Sequence, residues 1–321
     1  MTALLQNFPD TVRITEVGPR DGLQAVQQWV STEAKIEMVN GLIGAGLRSF
    51  EVTSFVAPRA VPQMRDAAEV VAGVDRVPGL ELTALVPNAR GAERAAEARI
   101  DAMVVFLSAS ESHNQANVNQ SRESSLAGFA EVTRIAAAAG IEVKGAIATA
   151  FGCPFEGDLP VQDVVGLARA YVGLGIRRIT LGDTTGMATP PLVQERVRAL
   201  RAAVPELEIT LHFHNTRGVG LACVYAGLLE GITSYESSVG GLGGCPFAPG
   251  ATGNICTEDL IYLLDECGVG TGVSGEAVAA VARRMEDILG YPLPGQMMRA
   301  GPRLRLQPRS AVRSSSGGVR K

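Results

Sequence analysis

Apolar and polar positions follow two different periods along the chain. Eight short segments are rich in β-branched and apolar residues and are bounded by glycine, proline or polar residues, as buried strands are. These predicted strands are residues 12–17, 49–55, 80–86, 102–108, 142–148, 178–181, 208–213 and 234–239. Segments rich in Ala, Arg and Glu lie between them and have helical spacing. The predicted helices are residues 32–45, 90–98, 128–139, 161–173, 191–203 and 221–230.

The repeated order of strand and helix predicts the fold. Eight alternations favour an α/β protein of the closed (β/α)8 TIM-barrel type, and a doubly wound open sheet is the alternative. Glycines that suit the C-terminal ends of helices follow several of these segments; they are Gly46, Gly140, Gly175 and Gly231.

Two further helices are predicted after the eighth strand, at residues 257–267 and 275–290. We therefore assign residues 1–300 to one barrel domain that includes C-terminal helices. The tail, residues 301–321, contains six basic and no acidic residues, and we expect it to be disordered. Binding of a phosphate group by this tail is the alternative.

Composition excludes several classes of protein. Hydrophobic residues make up 46% of the chain and charged residues 19%, so a large core can form. The net charge of −4 argues against a nucleic-acid partner, which usually requires a basic face. No apolar run reaches the length of about 18 residues that a membrane span needs, and no secretory signal precedes the first strand. The five scattered cysteines include no Cys-x-x-Cys pair, and a reducing cytoplasm is the expected location.

Two of the chain's three histidines, His212 and His214, stand two positions apart at the end of the seventh strand. Residues i and i+2 of a strand point to the same face, so both imidazoles can reach one ion. Asp21 follows the first strand, and Asn254 follows the loop after the eighth. Two nitrogen and two oxygen ligands suit Mg²⁺ or Mn²⁺. The alternative is a pair of histidines that form hydrogen bonds within the barrel mouth.

A glycine-rich loop, residues 240–253, comes after the eighth strand. Because glycine loses much conformational freedom on folding, such a loop suggests a mobile lid over the substrate. Cys245 lies in the middle of the loop, where its thiol can transfer a proton. The alternative is a flexible turn with an inert cysteine.

These motifs closely resemble those of the 3-hydroxy-3-methylglutaryl-CoA lyase family. The most specific is SVGGLGGCPF at residues 238–247, and the resemblance runs from about residue 12 to residue 290. The other motifs are EVGPRDGLQ (16–24), EVTSFV (51–56), GCPFEG (152–157), LGDT (181–184) and GNICTED (253–259).

The resemblance implies a retro-Claisen cleavage of (3S)-3-hydroxy-3-methylglutaryl-CoA to acetyl-CoA and acetoacetate. The implied ligands of the divalent metal are Asp21, His212, His214 and Asn254. Arg20 then stabilises the enolate oxygen, and Cys245 helps to protonate the enolate carbon. Glu51 and Asp183 are implied to orient the arginine or a water, or to relay a proton; for both acids the alternative is polar support of the barrel mouth.

The chain departs from this family's usual pattern in two places. The second histidine continues as Asn215-Thr216-Arg217-Gly218, where the family often has Asp-Thr-Tyr-Gly. Residues 25–28 supply no lysine for the CoA phosphates. A related substrate, either citramalyl-CoA or a longer-branched 3-hydroxyglutaryl-CoA, is therefore an alternative. Arg217 is expected either to pair with an additional substrate charge or to face solvent.

Two other functions compete with this prediction. A Claisen-type synthase that joins acetyl-CoA to a 2-keto acid shares the barrel and metal motif, but usually carries an additional C-terminal region. A non-catalytic binding barrel does not explain why the candidate residues all fall at one mouth. The resemblance further implies an acyl-CoA substrate, a homodimer and a role in leucine breakdown.

Overall fold

Eight parallel strands form a closed barrel in which each strand pairs with the next and the eighth pairs with the first. The structure is a computed structural model that describes residues 8–244 and 253–306. The strands are β1 (Arg13–Glu16), β2 (Ser49–Ser54), β3 (Glu81–Leu85), β4 (Ala102–Ser108), β5 (Glu142–Ala148), β6 (Arg178–Asp183), β7 (Glu208–Phe213) and β8 (Ser234–Ser237). The predicted (β/α)8 barrel is confirmed, and the open sheet is wrong because β1 and β8 pair directly.

Helices surround the barrel and follow its strands. In the described part of the chain they are α1 (Thr32–Gly44), α2 (Ala67–Gly73), α3 (Ala89–Glu97), α4 (Glu111–Val118), α5 (Arg122–Ala139), α6 (Val161–Gly173), α7 (Pro190–Ala203), α8 (Gly220–Leu229), α9 (Thr257–Glu266), α10 (Gly275–Leu289) and α11 (Met297–Ala300). The predicted C-terminal helices are thus confirmed as α9 and α10.

Local sequence accounts for several helix ends. The Ser31 hydroxyl accepts a hydrogen bond from the Ala34 amide at 3.2 Å, which caps the start of α1. Such a cap stabilises a helix by about 1 kcal/mol. All four predicted C-terminal glycines have positive φ values, which a side chain would oppose.

Some element boundaries differ from the prediction. α5 begins at Arg122, six positions before the predicted start at residue 128, because the Ser121 hydroxyl accepts a hydrogen bond from the Ser124 amide. β8 ends at Ser237 instead of residue 239, since the next residues turn and Gly240 adopts φ +63°. The helices α2, α4 and α11 were not predicted.

The pairing of β7, β8 and β1 determines where the polar strand ends meet. His212 in β7 lies beside Glu236 in β8, and Glu16 at the end of β1 lies beside Ser237. Residues that follow β1 are therefore carried to the same edge as the His212 side chain. This edge is the C-terminal mouth, where active sites lie in (β/α)8 barrels.

The C-terminal region begins with ordered contacts. Arg303 pairs with Glu266, with Nε to Oε2 at 2.6 Å, and Arg305 pairs with Glu276. Residues 307–321 lie outside the described residues, so the domain boundary at residue 300 and the disordered tail stay predictions. Among the described residues, no helix has both the length and the apolar character needed to cross a membrane.

Candidate active site

Two histidines at the end of β7 face each other at the centre of the barrel mouth. Both side chains are buried, and their Nε2 atoms lie 3.1 Å apart. The strand geometry places them on one face, as their spacing predicted. A single ion at that point would contact both ring nitrogens.

Asp21 reaches the same point from β1. It lies in a short π-helical turn, Gly18–Gly22, that directly follows the strand. The candidate ligand atoms of Asp21, His212 and His214 all lie within 4.8 Å of one another. These three residues form a possible metal-binding group of two imidazole nitrogens and one carboxylate oxygen.

Asn254 adds an amide to this group. Its Nδ2 donates to Asp21 Oδ2 at 2.8 Å and to the Leu242 carbonyl at 3.0 Å. Its Oδ1 is buried, and no described residue donates a hydrogen bond to it. A buried acceptor without a donor is costly, and a divalent cation would satisfy it. The donor set of two nitrogens and two oxygens therefore fits Mg²⁺ or Mn²⁺.

Glu236 is a further polar residue of the candidate site, and the sequence prediction missed it. Its Oε2 lies 2.9 Å from His212 Nδ1, and its Oε1 accepts from Thr180 Oγ1 at 2.7 Å. A carboxylate on Nδ1 leaves the Nε2 lone pair directed toward the candidate metal position. The alternation of side chains along β8 could have placed Glu236 on the inner face of the barrel. The strand register that pairs Glu236 with His212 cannot be read from the sequence around either residue.

Arg20 lies between two carboxylates at the same mouth. Its Nη1 donates to Asp21 Oδ1 at 2.7 Å, and its Nη2 pairs with Glu51 of β2. Only 13% of the arginine side chain is exposed. Burial opposes the charge, but the two carboxylates outweigh it and raise the arginine's pKa. Glu51 therefore orients a permanently cationic Arg20.

The charges at the site act on one another. Burial disfavours the charge on Asp21, but Arg20 and the two imidazoles outweigh it and lower the pKa of the carboxyl to about 2. Burial and the neighbouring His212 lower the pKa of His214 to about 4. Burial also opposes charge on His212, but the hydrogen bond that its Nδ1 donates to the Glu236 carboxylate raises its pKa. Asp21 and His214 thus have the protonation states that metal ligation requires.

Asp183 lies at the end of β6, and its Oδ1 accepts from the backbone amides of Met187 at 2.7 Å and Ala188 at 2.9 Å. Burial outweighs these bonds and raises the pKa of the carboxyl to about 6. Asp183 therefore supports the loop after β6 and also has a pKa suited to proton transfer.

Arg217 is exposed to solvent, as one of its two expected arrangements required, and it also contacts the loop after β6. Although the residue is exposed, its Nη1 donates to the backbone carbonyls of Thr185 at 3.0 Å and Gly186 at 2.7 Å. Part of the guanidinium thus holds the loop after β6. Cys245 lies outside the described residues, as does most of the predicted lid.

Comparisons with known proteins agree with this architecture. A family model described as HMGL-like matches residues 11–285. The hydroxymethylglutaryl-CoA lyase YngG of Bacillus subtilis is 45% identical over 90% of this chain and 97% of its own. The 3-hydroxy-3-isohexenylglutaryl-CoA/hydroxymethylglutaryl-CoA lyase of Pseudomonas aeruginosa is 43% identical over 88% and 95%. A solved HMG-CoA lyase from Acinetobacter baumannii, in complex with coenzyme A and 3-methylmalate, has a TM-score of 0.89 at 43% identity and covers 96% of this chain and 99% of its own.

The barrel, its polar mouth and these similarities define the class of protein, which is a carbon–carbon lyase of the (β/α)8 type. Within that class, the chain belongs to the HMGL-like family, that of the HMG-CoA lyases.

Proposed function

We propose that this chain is a metal-dependent lyase that cleaves (3S)-3-hydroxy-3-methylglutaryl-CoA to acetyl-CoA and acetoacetate. The observation that carries the proposal is the convergence of Asp21, His212 and His214 on one point of the mouth, where Asn254 bonds Asp21 and leaves its own buried Oδ1 without a donor. Family membership supplies the acyl-CoA substrate class, because the relatives named above are lyases of such thioesters.

The proposed ligands of Mg²⁺ or Mn²⁺ are Asp21, His212, His214 and Asn254. When bound, the ion polarises the substrate's tertiary hydroxyl and lowers its pKa. Glu236 supports the site by holding the His212 ring through Nδ1. The Asn254 amide also bonds Asp21, so the ligands from β1 and from the segment after β8 position one another.

Cleavage requires loss of the hydroxyl proton and breakage of the bond between the carbinol carbon and the thioester α-carbon. The electron pair passes to the α-carbon and its thioester oxygen, which forms the enolate of acetyl-CoA. Arg20 is proposed to stabilise the enolate oxygen, since Glu51 and Asp21 hold its guanidinium in place.

Asp183 is proposed to accept and relay the hydroxyl proton. A carboxyl with a pKa of about 6 is substantially ionised at neutral pH and still basic enough to take a proton. Protonation of the enolate carbon then completes acetyl-CoA, and this step is proposed for the Cys245 thiol.

A wider substrate range is the second candidate function. The Pseudomonas aeruginosa relative is named for both 3-hydroxy-3-isohexenylglutaryl-CoA and hydroxymethylglutaryl-CoA, at 43% identity. A longer-branched 3-hydroxyglutaryl-CoA is therefore included among the proposed substrates, ahead of citramalyl-CoA. We further propose a cytoplasmic homodimer that acts in leucine breakdown.

The deciding experiment incubates the purified protein and Mg²⁺ or Mn²⁺ with a panel of branched 3-hydroxyacyl-CoA thioesters and identifies the products by mass. Metal-dependent release of acetoacetate from the methyl substrate supports the proposal. If instead the protein only condenses acetyl-CoA with a 2-keto acid, the synthase alternative replaces it. Release of free CoA thiol is not diagnostic, because acetyl-CoA keeps its thioester.

A further inference from the structure

A single tryptophan ring contacts two cations in the region between the first strand and α1. Trp29 is the chain's only tryptophan, and it lies in the segment between the π-helical turn and α1. Lys35 Nζ lies 3.9 Å from the centroid of the indole, and Arg65 Cζ lies 3.6 Å from it. Cations favour such positions because the face of an aromatic ring is negative. The two cations differ in what else they contact.

Lys35 belongs to a closed, buried network. Its Nζ pairs with both oxygens of Asp66 at 2.8 and 3.0 Å and donates to the Gln63 carbonyl. Asp66 also accepts from Thr32 Oγ1 at 2.8 Å. The charge of Lys35 is therefore neutralised within the protein, and Lys35 is not available to a ligand.

Arg65 is left with its charge uncompensated. The residue is exposed, and no carboxylate of the described residues lies within ion-pair distance of its guanidinium. The stack on Trp29 orients the planar group without using any of its five N–H donors. Arg65 is therefore a pre-positioned cation with free donors.

Hydrogen bonds of Gln63 join the loop that carries Arg65 to the segment after the π-helical turn. Gln63 Nε2 donates to the carbonyls of Val26, at 2.9 Å, and Gln28, so the loop after β2 is joined to the segment that follows Asp21. Arg20 follows β1 and its partner Glu51 lies within β2, so the two joined segments follow the strands that supply this ion pair. Arg65 therefore lies in a loop that follows a strand, on the mouth side of the barrel, and Gln63 joins this loop to the segment that follows the Arg20 turn.

We propose that Arg65, held on Trp29, binds a phosphate group of the CoA portion of the substrate. This inference rests on the proposed acyl-CoA lyase function. The pantetheine arm separates the phosphates of a CoA thioester from its reacting carbonyl, so a phosphate site belongs on the rim. A planar guanidinium matches phosphate oxygens, and residues 25–28 of the adjoining segment (AVQQ) contain no cation.

The first experiment measures binding without turnover. Titration of the metal-free protein with CoA is followed by isothermal calorimetry and by Trp29 emission, which reports on this position alone. Parallel titrations use 3′-dephospho-CoA and pantetheine. We expect CoA to change the emission and pantetheine, which lacks phosphate, to leave it unchanged.

The second experiment compares three variants. For Arg65→Ala we expect CoA to bind about 3- to 10-fold more weakly, with KM for the thioester raised equally and kcat unchanged. Arg65→Lys keeps the charge and should recover part of the affinity. Arg177→Ala is the matched control, because this exposed arginine directly precedes β6 at the opposite end of the barrel. It should leave both quantities unchanged.

The parallel titrations show which phosphate group of CoA contacts Arg65. A loss from Arg65→Ala that disappears with 3′-dephospho-CoA assigns the 3′-phosphate, and a loss that persists assigns the diphosphate. An Arg65→Ala variant that binds CoA as well as wild type, or that weakens pantetheine equally, overturns the inference. Should wild type bind CoA through Arg65 yet cleave no thioester, the phosphate site stands and the proposed lyase function fails.

Discussion

The His212 ring is held in place by Glu236 of β8. Glu236 bonds Nδ1 and is itself bonded by Thr180, so the ring's Nε2 is kept pointing at Asp21 and His214. For Glu236→Gln we expect metal affinity to fall about 10- to 100-fold, because the neutral amide no longer raises the basicity of the imidazole. Mn²⁺ binding followed by electron paramagnetic resonance measures this directly. Unchanged Mn²⁺ affinity would remove the positioning role from Glu236.

Asp183 supports the loop after β6 and is also proposed to transfer a proton, and one substitution separates the two roles. Asp183→Asn keeps an acceptor for the amides of Met187 and Ala188, so the loop after β6 should stay in place. The amide cannot perform the proposed proton transfer, so kcat should fall about 100-fold or more. Steady-state kinetics with saturating metal measure kcat, while circular dichroism and Mn²⁺ affinity report the fold and the site. A variant with full kcat would reduce Asp183 to loop support.

Among the elements, strands were easier to predict than helices with polar buried faces. α4 shows why. Its buried residues are His113 and Asn114, and Asn114 Oδ1 accepts from the Ser108 amide at 3.0 Å. A helix that buries polar residues has no apolar period to detect. Only the two ends of α4 indicate a helix from sequence. Ser110 accepts a hydrogen bond from the His113 amide at the start, and Asn119 ends the helix in a left-handed conformation.

The candidate site was predictable to the extent that its chemistry is local in sequence. Two histidines two positions apart on a strand must share a face, and the barrel brings β1 beside β8. The hydrogen bond between His212 and Glu236, by contrast, depends on the register of β7 and β8. The stack of Arg65 on Trp29 depends on loop packing across 36 positions of sequence. Neither relation leaves a periodic pattern.

Gly253 directly precedes Asn254 in the segment after β8, and its surroundings leave no room for a side chain. Gly253 adopts φ +88°, and a Cβ there would lie 2.5 Å from the Gly243 carbonyl oxygen and 2.7 Å from that of Gly241. Both contacts are backbone, so Gly253→Ala must displace the segment and Asn254 with it. We expect a loss of about 1–3 kcal/mol in the free energy of unfolding, together with weaker Mn²⁺ binding.

Gly128→Ala provides the matched control for that substitution. Gly128 lies inside α5, and its added Cβ would meet nothing within 4 Å. Alanine should stabilise this helix by about 0.5–1 kcal/mol and leave metal binding unchanged. Urea denaturation of both variants gives the comparison. If the two variants had the same free energy of unfolding and the same Mn²⁺ affinity, the backbone clash at Gly253 would be contradicted.

At the scale of the whole molecule, the two ends of the barrel carry different charge arrangements. The mouth gathers the candidate ligands, whereas the opposite end is closed by ion pairs around Glu81 of β3. Lys144 Nζ and Arg178 Nη1 lie 2.7 and 2.8 Å from its carboxylate oxygens, and Arg13 pairs with it as well. One carboxylate thus joins cations from β5, β6 and β1. In this fold, that end serves stability and the mouth serves chemistry.

Glu81 should therefore control the acid stability of the barrel. Burial opposes its charge, but the hydrogen bond from Arg178 and the neighbouring Lys144 outweigh it and lower the carboxyl's pKa from 4.5 to about 2. A depressed carboxyl pKa stabilises the fold above 4.5, and this stabilisation is lost as the pH falls from 4.5 through about 2. Glu81→Gln leaves its cations without their shared partner and should cost roughly 2–4 kcal/mol near neutral pH.

The pH dependence distinguishes this mechanism from a general packing defect. The gap in unfolding free energy between wild type and Glu81→Gln should be full at about pH 7 and should narrow steadily below about pH 4, because protonation removes the wild-type charge as well. Glu131→Gln, at an exposed pair with Arg134, should match wild type throughout. Urea denaturation across this range measures all three proteins. A gap that stays constant down to about pH 2 would mean that Glu81 acts through shape and not through its charge.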